Sequence, residues 1–271
     1  MTDELKFTVI SDIHYYSKKN FVDGFDKNKK PKPGQLFFSR SEEIVEHTFD
    51  CLCKNDTPDI VLISGDLTYN GERTSHDEMK AALKKLQQKG KRVYVITATH
   101  DYTTPRMPTY GIDKNAKYIE VESVKRTQLL KYYGDFGYNN AIAKHKSTMS
   151  YVAQLADGYR LFALNDDYGD PDCGFSDELM NWVKTEANNA KRDGQYIIAM
   201  THHPLVPPSP IYTAVAKGDM LNDYELRSKQ LSDLGFDFVL TGHTHMHNIS
   251  YCKIGNKKFY DISTAALTGF P

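Results

Sequence analysis

The sequence has no excess of either charge, since 34 Lys and Arg stand against 35 Asp and Glu for a net charge of -1. With no long-range field to draw it onto a polyanion, nucleic acid is not a favoured partner, and neither is an anionic membrane surface. Cysteine is scarce. Cys51, Cys53, Cys173 and Cys252 include no C-x-x-C pair and are too few for a disulfide framework, so they are expected to be reduced and mostly packed. No apolar run approaches the ~20 residues needed to cross a bilayer, and the opening MTDELKFT has no basic stretch followed by an apolar one. These absences predict no membrane span and favour a cytoplasmic protein. There is no internal repeat. The chain stops at ISTAALTGFP, almost directly after an apparent hairpin and without a polar tail, so it is expected to be a piece of something longer.

What is present is a set of short apolar runs, each delivering polar side chains at its end. Residues 59–69, DIVLISGDLTY, show it best. Ile60 to Ile63 is wholly apolar, as a strand covered on both faces is, and Gly65 then allows a tight turn that leaves Asp66 at the strand's carboxyl end. In open α/β sheets that end is where ligands bind. The same arrangement recurs four times. Residues 7–10 lead to Asp12 and His14, 93–96 to His100 and Asp101, 196–200 to His202, and 238–240 to His243 and His245. One apolar strand ending in a polar residue is an ordinary cap or turn. Five in one chain point to a common site.

Between these runs lie helices. Ser39-x-x-Glu42 reads as a capping box opening a helix with Val45, Phe49 and Leu52 on one face. Ser75-x-x-Glu78 reads as another, with Met79, Ala82, Leu83 and Leu86 inward and Gly90 ending it. Strand, helix, strand, helix, strand predicts a largely parallel sheet. At 271 residues the chain is expected to form a single domain over 1–271, with insertions at about 15–38 and 102–147. The first is Lys-, Asn-, Gly- and Pro-rich and reads as a loop rimming the site; Lys27, Lys29, Lys30 and Lys32 fit a solvated loop better than a substrate clamp. The second is expected to hold a helix near 119–133, with Val121, Val124, Leu129 and Tyr132 at helical spacing. It reads equally as a substrate wall or a packed excursion. Residues 149–164 read as a hairpin with a type I′ turn at Asp157-Gly158, and 250–262 as a second through Gly255-Asn256. Further helices start at Ser176, with Leu179, Trp182, Val183, Ala187 and Ala190 buried, and near Tyr224, with Arg227, Leu231 and Leu234 before Gly235.

Asp12, His14, Asp66, His202, His243 and His245 are of metal-ligand type, and mixed imidazole and carboxylate ligands suit zinc, iron or manganese. Alternation along an extended segment would point Asp12 and His14 the same way, and likewise His243 and His245. Two such forks can grip a metal from both sides. Taken in order, D-x-H, G-D, a T-H-D run, a single His before Pro204 and G-H-T-H resemble the calcineurin-like metallophosphoesterase superfamily, over residues 11–245. The resemblance implies a two-sheet β-sandwich flanked by helices, an α/β fold in four layers, with a binuclear metal centre at the strand ends. It implies that Asp12, His14 and His245 hold one ion, His202 and His243 the other, and Asp66 both. His202 rather than His203 takes the ligand position, because the family's lone His stands two residues before a proline. The implied reaction is hydrolysis of a small phosphomonoester or phosphodiester by a metal-bound hydroxide. His100 would stabilise developing charge or protonate the leaving oxygen, and Asp101 would orient its neighbours.

One position departs from the pattern. The family's G-N-H-D stands here as Ala98-Thr99-His100-Asp101, so Thr99 occupies the place of an Asn ligand. A hydroxyl is shorter than an amide by one heavy atom and a weaker donor to a divalent ion, so the His202 and His243 site is expected to bind more weakly. The alternative is a catalytically weakened metal- or ligand-binding domain of the same fold. Substrate selection would fall to 15–35 and 102–147. His247 reads as a residue on the departing chain. Tyr69 sits at the spacing of the iron-binding tyrosine of purple acid phosphatases, but His14 already fills the position which that tyrosine serves, so Tyr69 reads as a pocket wall. Oxidised, iron-loaded protein is therefore expected to lack the purple phenolate absorption band; its appearance in a visible spectrum would make Tyr69 a ligand.

Overall fold

Residues 60–64 carry five consecutive buried side chains and form the centre of a three-stranded parallel sheet. A computed structural model describes residues 4–22, 36–54, 56–105, 107–115, 117–167 and 173–269. In it β1 (Phe7–Ile10), β2 (Ile60–Ser64) and β3 (Arg92–Ile96) lie in that order, with Val9 opposite Leu62 and Leu62 opposite Tyr94. Parallel neighbours need a crossover, supplied here by α1 (Ser41–Leu52) and α2 (Arg73–Gln88). The small ladder of β4 (Gly111–Ile112) and β5 (Tyr118–Ile119) and the short α3 (Leu129–Tyr133) follow.

The second sheet has seven strands. They are β6 (Ala143–His145), β7 (Ser150–Ala156), β8 (Tyr159–Ala163), β9 (Tyr196–Met200), β10 (Phe238–Thr241), β11 (Asn248–Ile254) and β12 (Lys257–Ser263), in the order β11-β12-β10-β9-β8-β7-β6. Its central pairs, β8 with β9, β9 with β10 and β10 with β12, are parallel, and its outer pairs are antiparallel. The helices α4 (Asp177–Arg192), α5 (Tyr212–Val215) and α6 (Tyr224–Leu234) complete it. Alternation along β2 decides the layering. Val61 and Ile63 face α1 and α2, where they meet Phe49, Met79 and Leu83; Ile60 and Leu62 face the other sheet, where they meet Leu161, Ile198 and Leu240. The far side of the large sheet is covered by Val183 and Ala187 of α4 and Leu231 of α6. The result is two sheets face to face with helices outside both, the α/β sandwich expected from the resemblance.

Neither serine read as a helix cap serves as one. The helix α1 starts two residues after Ser39, behind a 3-10 turn at Phe38–Arg40, and its N-cap is Arg40 with no side-chain bond. The first residue of that helix, Ser41, accepts from Tyr16 N at 2.8 Å and donates to Tyr16 O at 3.2 Å. Ser75 lies inside α2, which starts at Arg73, and its hydroxyl accepts from Ser17 N and Asn20 Nδ2, each at 3.1 Å. The buried amides of the segment after β1 would otherwise lack partners, and that need outweighs a local cap worth about 1 kcal/mol. The helix expected from Ser176 forms as α4, with Ser176 as its N-cap accepting from Leu179 N.

The helix expected near 119–133 shrinks to α3. Residues 122–124 are extended instead and bond to the start of α2, Arg73 N to Glu122 O at 2.9 Å and Val124 N to Gly71 O at 2.8 Å. From this segment Val124, Leu129, Tyr132 and Phe136 pack into the core shared with α1 and α2. The first hairpin turns without a type I′ geometry, since Gly158 is left-handed (φ 79°) and Asp157 is not, and the register shifts between Gln154 and Ala156. The four cysteines form no disulfide. Lys27, Lys29, Lys30 and Lys32 lie outside the described residues. Among those residues no helix is long and apolar enough to cross a membrane.

His76 is the buried histidine that the fold itself uses. Its Nε2 donates to Asp101 O at 2.9 Å and its Nδ1 pairs with Tyr133 Oη at 2.6 Å, contacts that satisfy both nitrogens of a neutral imidazole. Burial pulls its pKa from 6.5 to about 3. Between those values the unfolded chain binds a proton that the folded one refuses, so stability present above pH 6.5 is lost as pH falls, by up to about 1.4 kcal/mol per pH unit. In denaturant unfolding, His76→Gln is expected to be less stable at neutral pH but to lack this acid slope, so that the two proteins converge towards about pH 4. Parallel curves would assign the slope to other groups.

Candidate metal centre

The loops after β1 and β2 run side by side. Asp12 N donates to Gly65 O (3.2 Å), His14 N to Asp66 O (2.9 Å) and Tyr15 N to Leu67 O (3.0 Å), which extends the parallel pairing past the strand ends. Gly242 N similarly donates to His202 O at 3.0 Å, joining the loops after β9 and β10. Among the described residues seven non-glycines have positive φ, and five of them are Asp12, His14, Asp66, His243 and His245, at 44–66°. Asp and His tolerate this region better than most residues, yet each such position still costs of order 1 kcal/mol. The two forks therefore do not arise from strand alternation, as expected from the sequence. Left-handed turns aim these side chains.

Two glycines make the convergence possible. Gly65 has φ 102°, and a Cβ there would lie 2.7 Å from Ala98 Cβ and 2.8 Å from His202 Nδ1. A Cβ on Gly242 would fall onto Ser11 Oγ and Asp12 Oδ2. Position 242 must approach this closely because His243 N donates to both oxygens of Asp12, at 3.1 and 2.9 Å, while Ser11 Oγ donates to Asp12 Oδ2 at 2.5 Å.

The donor atoms fall into two groups that share Asp66. His14 Nε2 and His245 Nε2 are 3.1 Å apart, and Asp12 Oδ1 lies 3.8 and 3.5 Å from them. Ligands about 2.1 Å from one ion sit about 3.0–3.4 Å from each other, so these are close to the edges of a coordination polyhedron. Asp66 Oδ2 lies 3.7 Å from His14 Nε2 on one side and 3.2 Å from His202 Nε2 on the other. His202 Nδ1 donates to Ser64 O at 2.8 Å, which fixes the tautomer and leaves Nε2, buried and without a hydrogen-bond partner, facing Asp66. His243 completes this side, with its ring centroid 5.2 Å from that of His202.

The electrostatics of the cluster favour a cation. Burial alone would raise the pKa of Asp12 and Asp66, but the histidines outweigh it, His14 and His245 through hydrogen bonds to Asp12 and His202 through its charge beside Asp66, and both carboxyls are held well below their usual range. Burial likewise works against a charged His202, yet Asp66 and Asp12 raise its pKa well above 6.5. His243 goes the other way, kept neutral by burial and by His203 and His202. Ionised carboxylates beside imidazoles are a donor set that zinc, iron or manganese takes, and a cation there would meet the same negative charge that draws a proton onto His202. The residues present fit such ions.

His100 and Asp101 occupy the 3-10 turn Thr99–Asp101 after β3. His100 N donates to Asp66 Oδ1 at 2.9 Å, and its Nδ1 meets Tyr69 O at 2.6 Å and Asn70 Oδ1 at 2.8 Å. Asp101 is fully buried and accepts from Leu67 N, Thr68 N and Ala98 N at 2.8–3.0 Å, clamping the loops after β2 and β3 together. Thr99 is half-buried on the same turn. Tyr69 stacks into an aromatic cluster with Tyr16, Phe38 and Tyr110, its ring 6.3 Å from that of His14, and His247 is exposed. Asp66, His100, His243 and His245 line a cleft of about 730 Å³ whose outer wall includes Tyr212 and Asp219. None of its lining residues comes from 102–147, so that insertion is not the wall of this cleft among the described residues.

One residue here, Asp166, escapes the sequence reading, and another, His203, is set aside there in favour of His202. His203 is buried beside His243, with ring centroids 4.0 Å apart, and Asp166 accepts from Thr201 Oγ1, His202 N and His203 N at 2.9, 3.2 and 2.7 Å. The signal for Asp166 was available, since β8 is one more apolar run ending in polar residues, Asn165-Asp166-Asp167.

A two-sheet sandwich with an Asp and His cluster at its strand ends is the architecture of a metallophosphoesterase. Residues 5–247 match the family described as calcineurin-like phosphoesterase, and the chain belongs to that family. A comparison with curated proteins finds no match. Among solved structures the fold is similar to that of a dimetal phosphatase from Danio rerio, with a TM-score of 0.66 and 12% identity over 98% of this chain and 88% of that one. A phosphopantetheinyl hydrolase from Mycobacterium tuberculosis aligns at a TM-score of 0.45 and 12% identity, over 96% of this chain and 89% of that one. At 12% identity the likeness to the first of these concerns the fold.

Gly242→Ala tests the geometry directly. Its methyl group must push Asp12 aside, so metal uptake measured by equilibrium dialysis is expected to fall by at least ~10-fold while the circular dichroism spectrum is kept. Unchanged uptake would show that the Asp12 loop can yield without harm.

Proposed function

We propose that this chain is a metal-dependent phosphoesterase that hydrolyses a small phosphomonoester or phosphodiester at a binuclear centre within one domain. The observation that carries this reading is Asp66, a buried carboxylate set between two groups of metal-ligand donors. Asp12, His14 and His245 would hold one ion, His202 and His243 the other, and Asp66 would serve both. Zinc, iron and manganese suit this set. Two such ions, when bound, supply a hydroxide near neutral pH and neutralise charge on the phosphoryl oxygens.

The chain's own residues do the rest. His100 stands at the mouth of the cleft, its backbone bonded to Asp66 and its Nδ1 held by Tyr69 O and Asn70 Oδ1. Its remaining nitrogen is the one able to bind a phosphoryl oxygen or pass a proton to the leaving group. Asp101 acts by holding the two loops in register, and so positions both His100 and Asp66. The open wall at Tyr212 and Asp219 leaves room for the organic part of the ester.

A catalytically weakened binding domain is the second reading, favoured by Thr99. The two readings part on one variant. Protein loaded with manganese, iron or zinc is expected to cleave an aryl phosphomonoester or phosphodiester, and chelation to abolish this. His100→Ala is expected to lower turnover ~10²- to 10⁴-fold with metal content unchanged, because the bond to Asp66 comes from the backbone. No turnover of either ester class with any of these metals would favour the binding domain.

A further inference from the structure

With Thr99 where the family pattern has Asn, the second site keeps Asp66, His202 and His243 as protein donors. A third histidine stands beside them. His203 is 3% exposed, its ring centroid lies 5.0 Å from that of His202 and 4.0 Å from that of His243, and one donor nitrogen from each of the three falls within 4.8 Å of the others. Its Nδ1 is 3.2 Å from Asp166 Oδ1 and has no other polar partner, so Nε2 is the nitrogen left for a ligand.

Asp166 is built to hold that arrangement. Its Oδ2 accepts from Thr201 Oγ1 and from the backbone of both His202 and His203, while Oδ1 faces the His203 ring, so one fully buried carboxylate sets the main chain and the imidazole together. A carboxylate behind a metal-ligating imidazole fixes its tautomer and orientation and raises its basicity. A buried histidine that served packing alone would need no such partner next to two other histidines with open nitrogens.

We infer that His203, oriented by Asp166, supplies to the second metal ion the protein ligand that Thr99 does not. The site then has four protein donors, Asp66, His202, His203 and His243. The weakening expected from Thr99 alone is offset, and restoring Asn at position 99 gains little in the native chain.

The test reads metal rather than turnover, and it rests on the binuclear reading above. Native protein, His203→Ala, Thr99→Asn and the double variant are dialysed against graded manganese, with ion content measured by elemental analysis and paired ions by electron paramagnetic resonance. Native protein is expected to take two ions per chain. His203→Ala should keep the first and bind the second at least ~10-fold more weakly, with loss of the coupled signal. Thr99→Asn should restore the second ion in the His203→Ala background and shift it little in the native one. A second ion unaffected by His203→Ala overturns the inference, as does a native chain that takes only one, or a Thr99→Asn that tightens both backgrounds equally. If His203→Ala does not fold, Asp166→Asn keeps an acceptor oxygen and is expected to weaken the second ion by ~10-fold, and no change there is equally fatal. A chain that binds two ions yet cleaves no ester removes the proposed activity and leaves this inference standing; one that cleaves esters with His203 irrelevant to metal does the reverse.

Discussion

Asp12 and Asp66 are 0% and 1% exposed, and among the described residues no lysine or arginine pairs with either. Two buried carboxylates side by side cost several kcal/mol each unless positive charge meets them. Only imidazoles do, and an imidazole compensates a carboxylate fully only when it is protonated or shares a cation with it. The rest of the centre follows from this constraint. His202 is driven towards its charged form, His243 is kept neutral, and His14 and His245 bring their Nε2 atoms to 3.1 Å from one another.

Such a cluster persists only on a rigid frame. Three other buried carboxylates provide it without joining the donor groups of Asp12 and Asp66. Asp101 ties the loop after β2 to the loop after β3, and Asp166 holds the segment leaving β9. Asp261 of β12 accepts from Leu205 N at 2.6 Å and Val206 N at 3.1 Å, and from Thr241 Oγ1 at 2.5 Å, which joins the loop after β9 to the end of β10. Each carboxyl accepts from two or more donors at once, so each clamp joins more backbone than an ordinary turn bond, and in Asp166, whose pKa His203 helps hold at about 2 against burial, the acceptor is ionised and the bonds stronger. They help to hold the five left-handed residues of the site, whose conformations local preference alone would not keep.

The clamps also show where reading a sequence loses sight of a structure. Asp101 and Asp166 were open to the same strand-end signal as Asp66, but Asp261 lies inside β12, where a lone carboxylate has no local signature. Ser39 and Ser75 failed as expected caps for a related reason: the helices start elsewhere, and the hydroxyls of Ser41 and Ser75 answer buried amides 25 and 58 residues away in sequence. Val121 and Val124 matched helical spacing by coincidence. Their segment is extended because it pairs with the start of α2, a partner that periodicity within one window does not contain.

The sequence by itself determined the strands that lead to the site, most of the helices and the six strand-end residues that meet in the cluster, because burial on both faces and polar punctuation at strand ends are local properties of a chain; the short strands within 102–147 it did not show. It also made Thr99 visible as a departure from a known pattern. Tertiary structure alone decided how those residues meet. The left-handed turns at Asp12, His14, Asp66, His243 and His245, the fit of Gly242 against Asp12, and the placing of His203 against His243 and Asp166 depend on two sheets packed face to face. Atoms from distant loops must share a few ångströms there, and spacing along a chain carries no measure of distance across it.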